Sequence, residues 1–227
     1  MTRLITFGCS NTFGLGLRDV WNYEKNYSIN HQGPSKYAWP QLLADKLNLE
    51  CVNLGILGAS NKEIWYSIVN AEFKNDDMVI ILWTWYDRYC ILNEKKLERI
   101  QIHWHEKTPQ ATCFFKHLHN EYDMLIDFYL RCNHIQLFLE NKVKLIKHLR
   151  QETSKWASAN QWLGSERKEY NPEHEIIPNW NKINFLNVSM SNIRHNYPPA
   201  LDNSHPGPEA YEAFAIAIYN KIKNDLC

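Results

Sequence analysis

Three residues near opposite ends of the chain have the types and spacing that acyl-transfer chemistry requires. Ser10 lies in the segment GCSNTF, directly after a short apolar run, and Asp202 and His205 lie in the segment DNSHP. A serine hydroxyl is a weak nucleophile near neutral pH unless a neighbouring base takes its proton. An acid beside the base holds the imidazole in the required tautomer. The three residues therefore predict a serine nucleophile with its base and orienting acid.

Three short segments predict the strands that would carry these residues. They span positions 4–7, 50–55 and 78–85. The third is apolar at every position but Thr84, as expected of a central parallel strand that is buried on both faces. Ser10 then follows the carboxyl end of the first strand, and ligands collect at that edge of open α/β sheets.

Helices are predicted between and after these strands. Pro40 opens an apolar-periodic segment at 39–47, and Ser60 and Glu63 have the spacing of a capping box. The segment 120–150 has one apolar stripe at helical spacing, which predicts a single long helix. A last strand is predicted within 183–190, and a further strand is expected near 155–180 without a definite position. A final helix opens at Pro206 and Pro208, and its predicted inward face is Tyr211, Phe214, Ala215, Ile218 and Ile222.

Composition limits the classes of partner. The chain has 227 residues, a length that fits one domain, with 25 basic and 25 acidic residues. A balanced charge gives no long-range field to attract nucleic acid or an anionic membrane. We therefore expect a small or neutral partner and neither a nucleic-acid nor a membrane partner. The absence of a signal-peptide pattern and of a membrane-spanning run predicts a cytoplasmic location. The sequence does not indicate an oligomeric state.

Cysteine and histidine positions do not indicate a metal or cofactor. The six cysteines are scattered without a Cys-x-x-Cys pair, so we expect reduced and mostly buried thiols. Two His-x-His pairs, at 103–105 and 117–119, would place imidazoles on one face of a strand, which is one way to hold zinc. No cysteine or carboxylate completes a ligand set at recognisable spacing, so we interpret them as surface histidines. No metal and no cofactor is predicted.

The order of these motifs resembles the SGNH (GDSL-type) hydrolase family. The resemblance rests on four short blocks spread over most of the chain. The first block is Gly8-Cys9-Ser10, where the family has Gly-Asp-Ser, and the fourth block matches fully at Asp202 and His205. The resemblance implies an α/β three-layer sandwich with a central, mainly parallel sheet, which is the flavodoxin-like SGNH hydrolase fold. It also implies a single domain over 1–227, with an irregular or helical insertion around 89–182.

The second and third blocks concern the oxyanion that forms when a serine attacks an ester. By resemblance, the backbone N–H of Gly58 would help to hold it together with that of Ser10, and Gly55 is the alternative to Gly58. The third block is normally Gly-x-Asn-Asp, but residues 84–87 read TWYD, so Tyr86 stands where the family has its asparagine. The sequence does not choose among four substitute donors, which are Thr84, Tyr86, Arg88 and Asn61.

The resemblance implies a serine esterase that hydrolyses a small O-acyl ester through an acyl-enzyme. Because the chain is rich in aromatic residues, which stack on sugar rings, an acetylated carbohydrate is the expected substrate. Of Trp83 and Trp85, one is expected in the core and the other at the pocket. Two alternatives stay open: a non-catalytic binding or structural module on the same fold, and an O-acyltransferase. A basic cluster is interpreted as a solvated helix end: Lys142, Lys144, Lys147, His148 and Arg150.

Overall fold

A five-stranded parallel sheet forms the centre of the fold. The computed structural model describes residues 2–22, 24, 27–28, 33–86, 88–92, 97–100, 108–151 and 183–225. The strands of the sheet are β1 (Arg3–Gly8), β2 (Glu50–Gly55), β3 (Met78–Trp83), β4 (Leu145–Arg150) and β5 (Phe185–Ser189). They lie in the order β2-β1-β3-β4-β5, and every neighbouring pair is parallel. This is the strand order of flavodoxin-like folds.

Helices cover both faces of the sheet. The described helices are α1 (Ser10–Phe13), α2 (Trp39–Leu47), α3 (Asn61–Val69), α4 (Pro109–Cys113), α5 (Glu121–Leu139), α6 (Met190–Arg194) and α7 (Pro208–Ile222). α2 packs against α7 on one face, and α3 packs against α5 on the other. The predicted α/β three-layer sandwich with a mainly parallel sheet is therefore confirmed.

Alternating side chains divide the core into two layers. On β3, Ile80 and Leu82 belong to the layer beneath α2 and α7, whereas Ile81 and Trp83 belong to the layer beneath α3 and α5. Successive side chains of a strand point to opposite faces, so a strand buried on both faces must be apolar throughout. This explains the unbroken apolar run, and the strand ends at Trp83, two residues before its predicted end.

Several local sequence signals produced the predicted elements. Ser60 and Glu63 form the capping box that begins α3, with the Ser60 side chain accepting from Glu63 N and the Glu63 side chain accepting from Ser60 N. α2 begins at Trp39 with Pro40 in its first turn. The predicted inward face of α7 is buried in full. These elements follow from interactions that are local in sequence.

The prediction of one helix over 120–150 is wrong. α5 ends at Leu139, and Leu145–Arg150 is strand β4, paired with β3 and β5. Lys147 and His148 are buried in this strand, so they are not part of a solvated helix end. Ile146 and Leu149 are three residues apart, a spacing that also fits a helical stripe, and this coincidence produced the error.

The segment after β3 holds smaller elements. Tyr89–Leu92 pairs with Leu97–Ile100 in an antiparallel hairpin, and a π-helical turn, Phe114–Leu118, follows α4. His117 lies in this turn and His119 directly after it, so the strand predicted to carry this pair is not present at these residues. The other predicted pair, at 103–105, lies outside the described residues. The division into a single domain with an insertion at 89–182 stays a prediction.

The carboxyl ends of three strands are level at the centre of the sheet. Gly8 of β1 pairs in register with Gly55 of β2 and Leu82 of β3. Because β2 and β3 lie on opposite sides of β1, the chain changes direction across the sheet at this point, and crevices open at such positions. Ser10 lies two residues after Gly8.

Candidate active site

Ser10 begins a one-turn helix directly after strand β1. The N–H groups of Thr12 and Phe13 both donate to the Cys9 carbonyl oxygen, at 2.9 and 3.0 Å. Gly14 closes the turn in a left-handed conformation and donates its N–H to the Ser10 carbonyl oxygen. The sharp change from strand to helix places the Ser10 side chain above the carboxyl edge of the sheet.

Ser10, His205 and Asp202 form one hydrogen-bonded chain. Ser10 Oγ lies 2.9 Å from His205 Nε2, and His205 Nδ1 lies 2.5 Å from Asp202 Oδ2. Asp202 is nearly buried, whereas about a fifth of the His205 side chain is exposed, at 19%. The fold therefore brings together three residues that were singled out from opposite ends of the sequence, with His205 between Ser10 and Asp202.

The loop before α7 holds Asp202 and His205 in position by its own hydrogen bonds. Asp202 Oδ1 accepts the backbone N–H groups of Ser204 and His205, both at 3.0 Å. Asn203 adopts a left-handed conformation, with φ of 55°, which asparagine tolerates better than most residues. Ala200 N–H donates to the His205 carbonyl oxygen at 2.9 Å and closes the loop.

The same hydrogen bonds keep Asp202 ionised. Burial by itself would raise the pKa of this carboxyl group. The hydrogen bonds from the His205 ring and from the N–H groups of His205 and Ser204 outweigh burial, so the pKa of Asp202 lies below its ordinary value. An ionised carboxylate at this position fixes the proton on Nδ1 and leaves Nε2 able to accept a proton from Ser10.

These residues open onto a cleft of about 470 Å³, a volume typical of sites for small molecules. The described residues that line it are Ser10, Asn11, Leu15, Leu57, Gly58, Trp85, Arg88, Arg99, Arg194, Ser204 and His205. Gly58 is thus brought to the cleft, and Gly55 is not among its described lining residues. Trp85 lies on the wall, whereas Trp83 is fully buried in the core.

The chain is similar to known proteins at the level of structure. No protein-family model matches the sequence, and no curated protein matches it either. A member of the lipolytic G-D-S-L family from Veillonella parvula is similar in structure, with a TM-score of 0.51 and 11% identity over 98% of this chain and 99% of that one. An acetylxylan esterase from Geobacillus stearothermophilus, solved as a catalytic mutant, gives a TM-score of 0.51 and 14% identity over 97% and 93%.

A third similar structure is that of a carbohydrate esterase whose active site displays divergent catalytic and non-catalytic binding functions. Its TM-score is 0.56 at 12% identity, over 98% of this chain and 64% of that chain. The chain has the SGNH hydrolase fold. Identities this low establish the fold and leave the chemistry to be argued from the residues of this chain.

Cys9, where the SGNH family has an aspartate in its first motif, belongs to a buried hydrogen-bond network. Gln151, directly after β4, donates from Nε2 to Cys9 Sγ at 3.4 Å and accepts from Asn11 Nδ2 at 3.0 Å. Ser189 Oγ in turn donates to the Gln151 carbonyl oxygen. Uncharged groups thus connect the turn that carries Ser10 to the ends of strands β4 and β5.

The four substitute oxyanion donors lie in different places on this SGNH fold. Asn61 Nδ2 donates to the carbonyl oxygens of Thr84 and Trp85, and Asn61 Oδ1 accepts from Thr84 N. The Thr84 side chain is buried, and neither Thr84 nor Tyr86 is among the described residues that line the cleft. Of the four, Arg88 alone belongs to that set, together with Ser10 and Gly58.

Sequence reasoning missed Asn11, Gln151, Arg99 and Arg194. Asn11 was adjacent to a predicted nucleophile, so its position at the cleft could have been anticipated. Gln151 followed a segment that was wrongly predicted as helix. Arg99 and Arg194 come from the hairpin and from the end of α6, and no local pattern connects either of them with Ser10.

The described residues hold neither a candidate metal site nor a membrane-spanning helix. No group of three or more histidine, cysteine, aspartate or glutamate side chains among them could hold a metal ion. None of the described helices has the length and apolar character needed to cross a membrane.

Proposed function

We propose that the protein is a serine esterase that hydrolyses a small O-acyl ester. Ser10 is the nucleophile, His205 the general base and Asp202 the orienting acid. The observation that carries the proposal is the hydrogen-bonded chain from Asp202 through His205 to Ser10, with 2.9 Å between Ser10 Oγ and His205 Nε2, at the wall of an open cleft. Such a nucleophile and base within hydrogen-bond reach, with the base oriented by a third group, is the arrangement that activates serine.

The first half of the reaction forms an acyl-enzyme. Ser10 Oγ attacks the ester carbonyl carbon while its proton passes to His205 Nε2. The carbonyl electron pair moves onto oxygen, and the N–H groups of Ser10 and Gly58 donate to the resulting oxyanion. When the intermediate collapses, the bond to the alcohol oxygen breaks and His205 gives its proton to that oxygen.

The second half releases the acid. A water molecule transfers a proton to His205 Nε2 as its oxygen attacks the acyl carbon on Ser10. Collapse of this second intermediate breaks the bond to Ser10 Oγ, which recovers its proton from His205. The ionised Asp202 stabilises the imidazolium that forms in both halves.

The substrate proposed is an acetylated carbohydrate. Trp85 on the cleft wall offers a face of the kind on which sugar rings stack. Leu15 and Leu57 are the apolar lining residues suited to a short acyl group. Among proteins with a similar fold is an acetylxylan esterase, and this agrees with the proposal.

A second candidate is a non-catalytic binding module. It is favoured by the two departures from the family motifs, Cys9 in the first and Tyr86 in the third, since the missing asparagine removes an oxyanion donor. Loss of one such donor lowers turnover by about a hundredfold to a thousandfold. That loss weakens an esterase without abolishing it, so we favour the enzyme. An O-acyltransferase would use the same acyl-enzyme with an alcohol in place of water.

Two measurements on the full chain distinguish these candidates. The esterase should hydrolyse para-nitrophenyl acetate, and a fluorophosphonate should label Ser10 stoichiometrically, as located by peptide mass spectrometry. Ser10→Ala should lower the rate by at least about a thousandfold and abolish labelling. Ser67→Ala is the matched control, because Ser67 lies in α3 and is not among the described residues that line the cleft.

The other outcomes decide against the esterase. A folded protein that neither reacts with the fluorophosphonate nor hydrolyses the ester would be a binding module. Hydrolysis that is unchanged in Ser10→Ala would remove the proposed mechanism. Formation of a new ester on addition of an alcohol, at the expense of free acid, would identify an acyltransferase.

A further inference from the structure

Three arginines lie on the wall of the cleft that holds Ser10 and His205. They are Arg88, Arg99 and Arg194. The described lining residues include no aspartate or glutamate. The chain as a whole carries equal numbers of acidic and basic residues, so this concentration of positive charge is local to the cleft.

Arg99 is neutralised within the protein. Its Nε and Nη2 atoms both donate to Glu63 Oε1, at 2.9 and 2.7 Å. The Glu63 side chain is almost fully buried and also caps α3. The Glu63 carboxylate neutralises the Arg99 guanidinium in this ion pair, so Arg99 adds little net charge to the cleft.

Arg88 and Arg194 have no such partner among the described residues. The Arg88 guanidinium lies over the Trp85 ring, 4.6 Å from the ring centre, and its Nη1 atom is buried without a hydrogen-bond acceptor among the residues that the structure describes. Arg194 Nη2 donates to the Ser204 carbonyl oxygen at 2.6 Å, beside His205. The one carboxylate of the triad, Asp202, is already bound to His205.

A guanidinium whose charge is not balanced and whose N–H lacks an acceptor favours the binding of an anion. A buried N–H without an acceptor destabilises the free protein, and a bound oxyanion supplies the missing acceptor. The planar group with five N–H donors matches the geometry of carboxylate and sulfate, and stacking on an aromatic ring holds it in a fixed orientation. Arg88 meets these conditions within the same cleft as the nucleophile.

We propose that the ester substrate carries an oxyanion group, a carboxylate or a sulfate, which binds to Arg88 and Arg194 while the acyl carbonyl faces Ser10. This inference rests on the proposed esterase function and narrows its substrate to an acidic ester. In an acetylated carbohydrate the group would be an acid or sulfate substituent of the sugar. Trp85 would then both stack on the sugar and orient Arg88.

Charged and uncharged esters of the same shape test the proposal. The first pair is para-acetoxybenzoate and para-acetoxybenzamide, and the second is para-acetoxybenzenesulfonate and its sulfonamide. We expect the wild-type protein to have a kcat/KM for each anionic ester at least about tenfold above that for its neutral partner, after division by the uncatalysed rates, at about 0.15 M salt. The two pairs distinguish a preference for carboxylate from one for sulfonate.

Substitution of Arg88 shows where the preference arises. Arg88→Gln should lower kcat/KM for the anionic esters by about tenfold to a hundredfold, mainly through KM, because it removes a charged hydrogen bond. Arg88→Lys should restore part of the loss, since it keeps the charge without the planar fork. Arg131→Gln, which removes the same charge from α5 away from the cleft, is the control.

Two results would overturn the proposal. One is equal kcat/KM for the charged and neutral esters in the wild-type protein. The other is an Arg88→Gln protein in which kcat falls equally for both members of a pair, since Arg88 would then donate to the oxyanion of every substrate.

Binding of the corresponding phenols separates this inference from the esterase function. The wild-type protein should bind para-hydroxybenzenesulfonate at least about tenfold more tightly than para-hydroxybenzenesulfonamide by calorimetry, and Arg88→Gln should remove the difference. This measurement needs no turnover. If the protein hydrolyses none of the esters but shows this difference in binding, the anion site is supported and the esterase function is not. Equal binding of the two phenols would overturn the anion site.

Discussion

The Asp202 carboxylate lies in the space that a side chain on residue 16 would need. A Cβ atom built on Gly16 would stand 2.6 Å from Asp202 Oδ1 and 2.8 Å from Ala200 Cβ. Gly16 also has a left-handed backbone, with φ of 88°, and its carbonyl oxygen accepts the N–H of Leu201 at 3.1 Å. The turn after Ser10 and the loop that carries Asp202 and His205 are therefore packed directly against each other.

We expect Gly16→Ala to lower both stability and turnover. The left-handed backbone makes a Cβ unfavourable by roughly 1–2 kcal/mol, and the contact with the carboxylate adds to this. Because the carboxylate must move, the bond from Asp202 to His205 is disturbed and kcat should fall. Urea unfolding and ester hydrolysis measure the two effects.

Gly33→Ala is the matched control for that substitution. Gly33 also has a left-handed backbone, with φ of 78°, but a Cβ there would meet no atom of the described part of the chain within 4 Å. It should show the backbone effect on stability and leave kcat unchanged. If the two variants behave alike in both measurements, the fit between Gly16 and Asp202 has no part in the activity.

Asp202→Asn should lower kcat while the protein stays folded. An amide at this position can donate to Nδ1 of His205, which stabilises the wrong tautomer, and the loss in a serine hydrolase is roughly 10⁴-fold. The loop keeps its backbone hydrogen bonds to an amide oxygen, so the unfolding midpoint should change little. A kcat within tenfold of wild type would show that Asp202 does not orient the base.

The buried histidine of β4 should make the protein sensitive to acid. His148 is fully buried, and its Nδ1 accepts from Trp83 Nε1 at 2.9 Å. Burial lowers the pKa of His148 from 6.5 to about 3, so the unfolded chain binds this proton before the folded protein does. Stability that is present above about pH 6.5 is therefore lost as the pH falls towards 3, by about 1.4 kcal/mol per pH unit for this one group.

The variant His148→Asn isolates this contribution. Its amide oxygen can still accept from Trp83, but it does not titrate. Urea unfolding between about pH 7 and pH 4 should give a steeper loss of unfolding free energy for the wild type than for the variant. Parallel curves would mean that His148 gains a proton within the folded protein.

Asn61→Ala should affect stability more than turnover. The Asn61 amide binds the backbone of Thr84 and Trp85 on both its donor and its acceptor side, so its loss leaves buried groups unpaired, at about 1–3 kcal/mol. If Asn61 were an oxyanion donor, its loss would instead lower kcat by about a hundredfold or more. Asn70→Ala is the control, because its exposed amide makes a single bond to the Tyr66 carbonyl oxygen. A hundredfold loss of kcat with no loss of stability would indicate that Asn61 is an oxyanion donor.

Elements determined by local interactions were predictable from the sequence. The capping box of Ser60 and Glu63 and the apolar run of β3 each depend on residues that lie close together in the chain. Strand β4 was not predictable in this way, because its burial depends on distant partners. The Lys147 Nζ atom, for example, is bound to Asn184 Oδ1 and Asp225 Oδ2. A strand that buries polar groups with remote partners does not show the expected apolar pattern.

The candidate site likewise contains some residues that the sequence indicates and others that it does not. Ser10, Asp202 and His205 belong to short motifs with a recognisable order, so the sequence could propose them together. The guanidinium groups of Arg88 and Arg194 come from separate loops, and their relation to the cleft depends on the assembled sheet. Whether the charge of each guanidinium is neutralised depends on where the carboxylates lie in the folded protein. No local sequence pattern indicates those positions.

The 195-residue separation between Ser10 and His205 bears on the order in which the chain folds. Four of the five strands of the sheet lie between them in sequence, and β1 ends two residues before Ser10, so the hydrogen bond between them closes a very long loop. Contacts of such separation form late, because their entropy must be offset by structure already in place. Partly folded forms, including those present during synthesis, would hold a serine without its base. Ester cleavage would then begin only when folding is complete, and reactivity with a fluorophosphonate could serve as a kinetic probe of the last folding step.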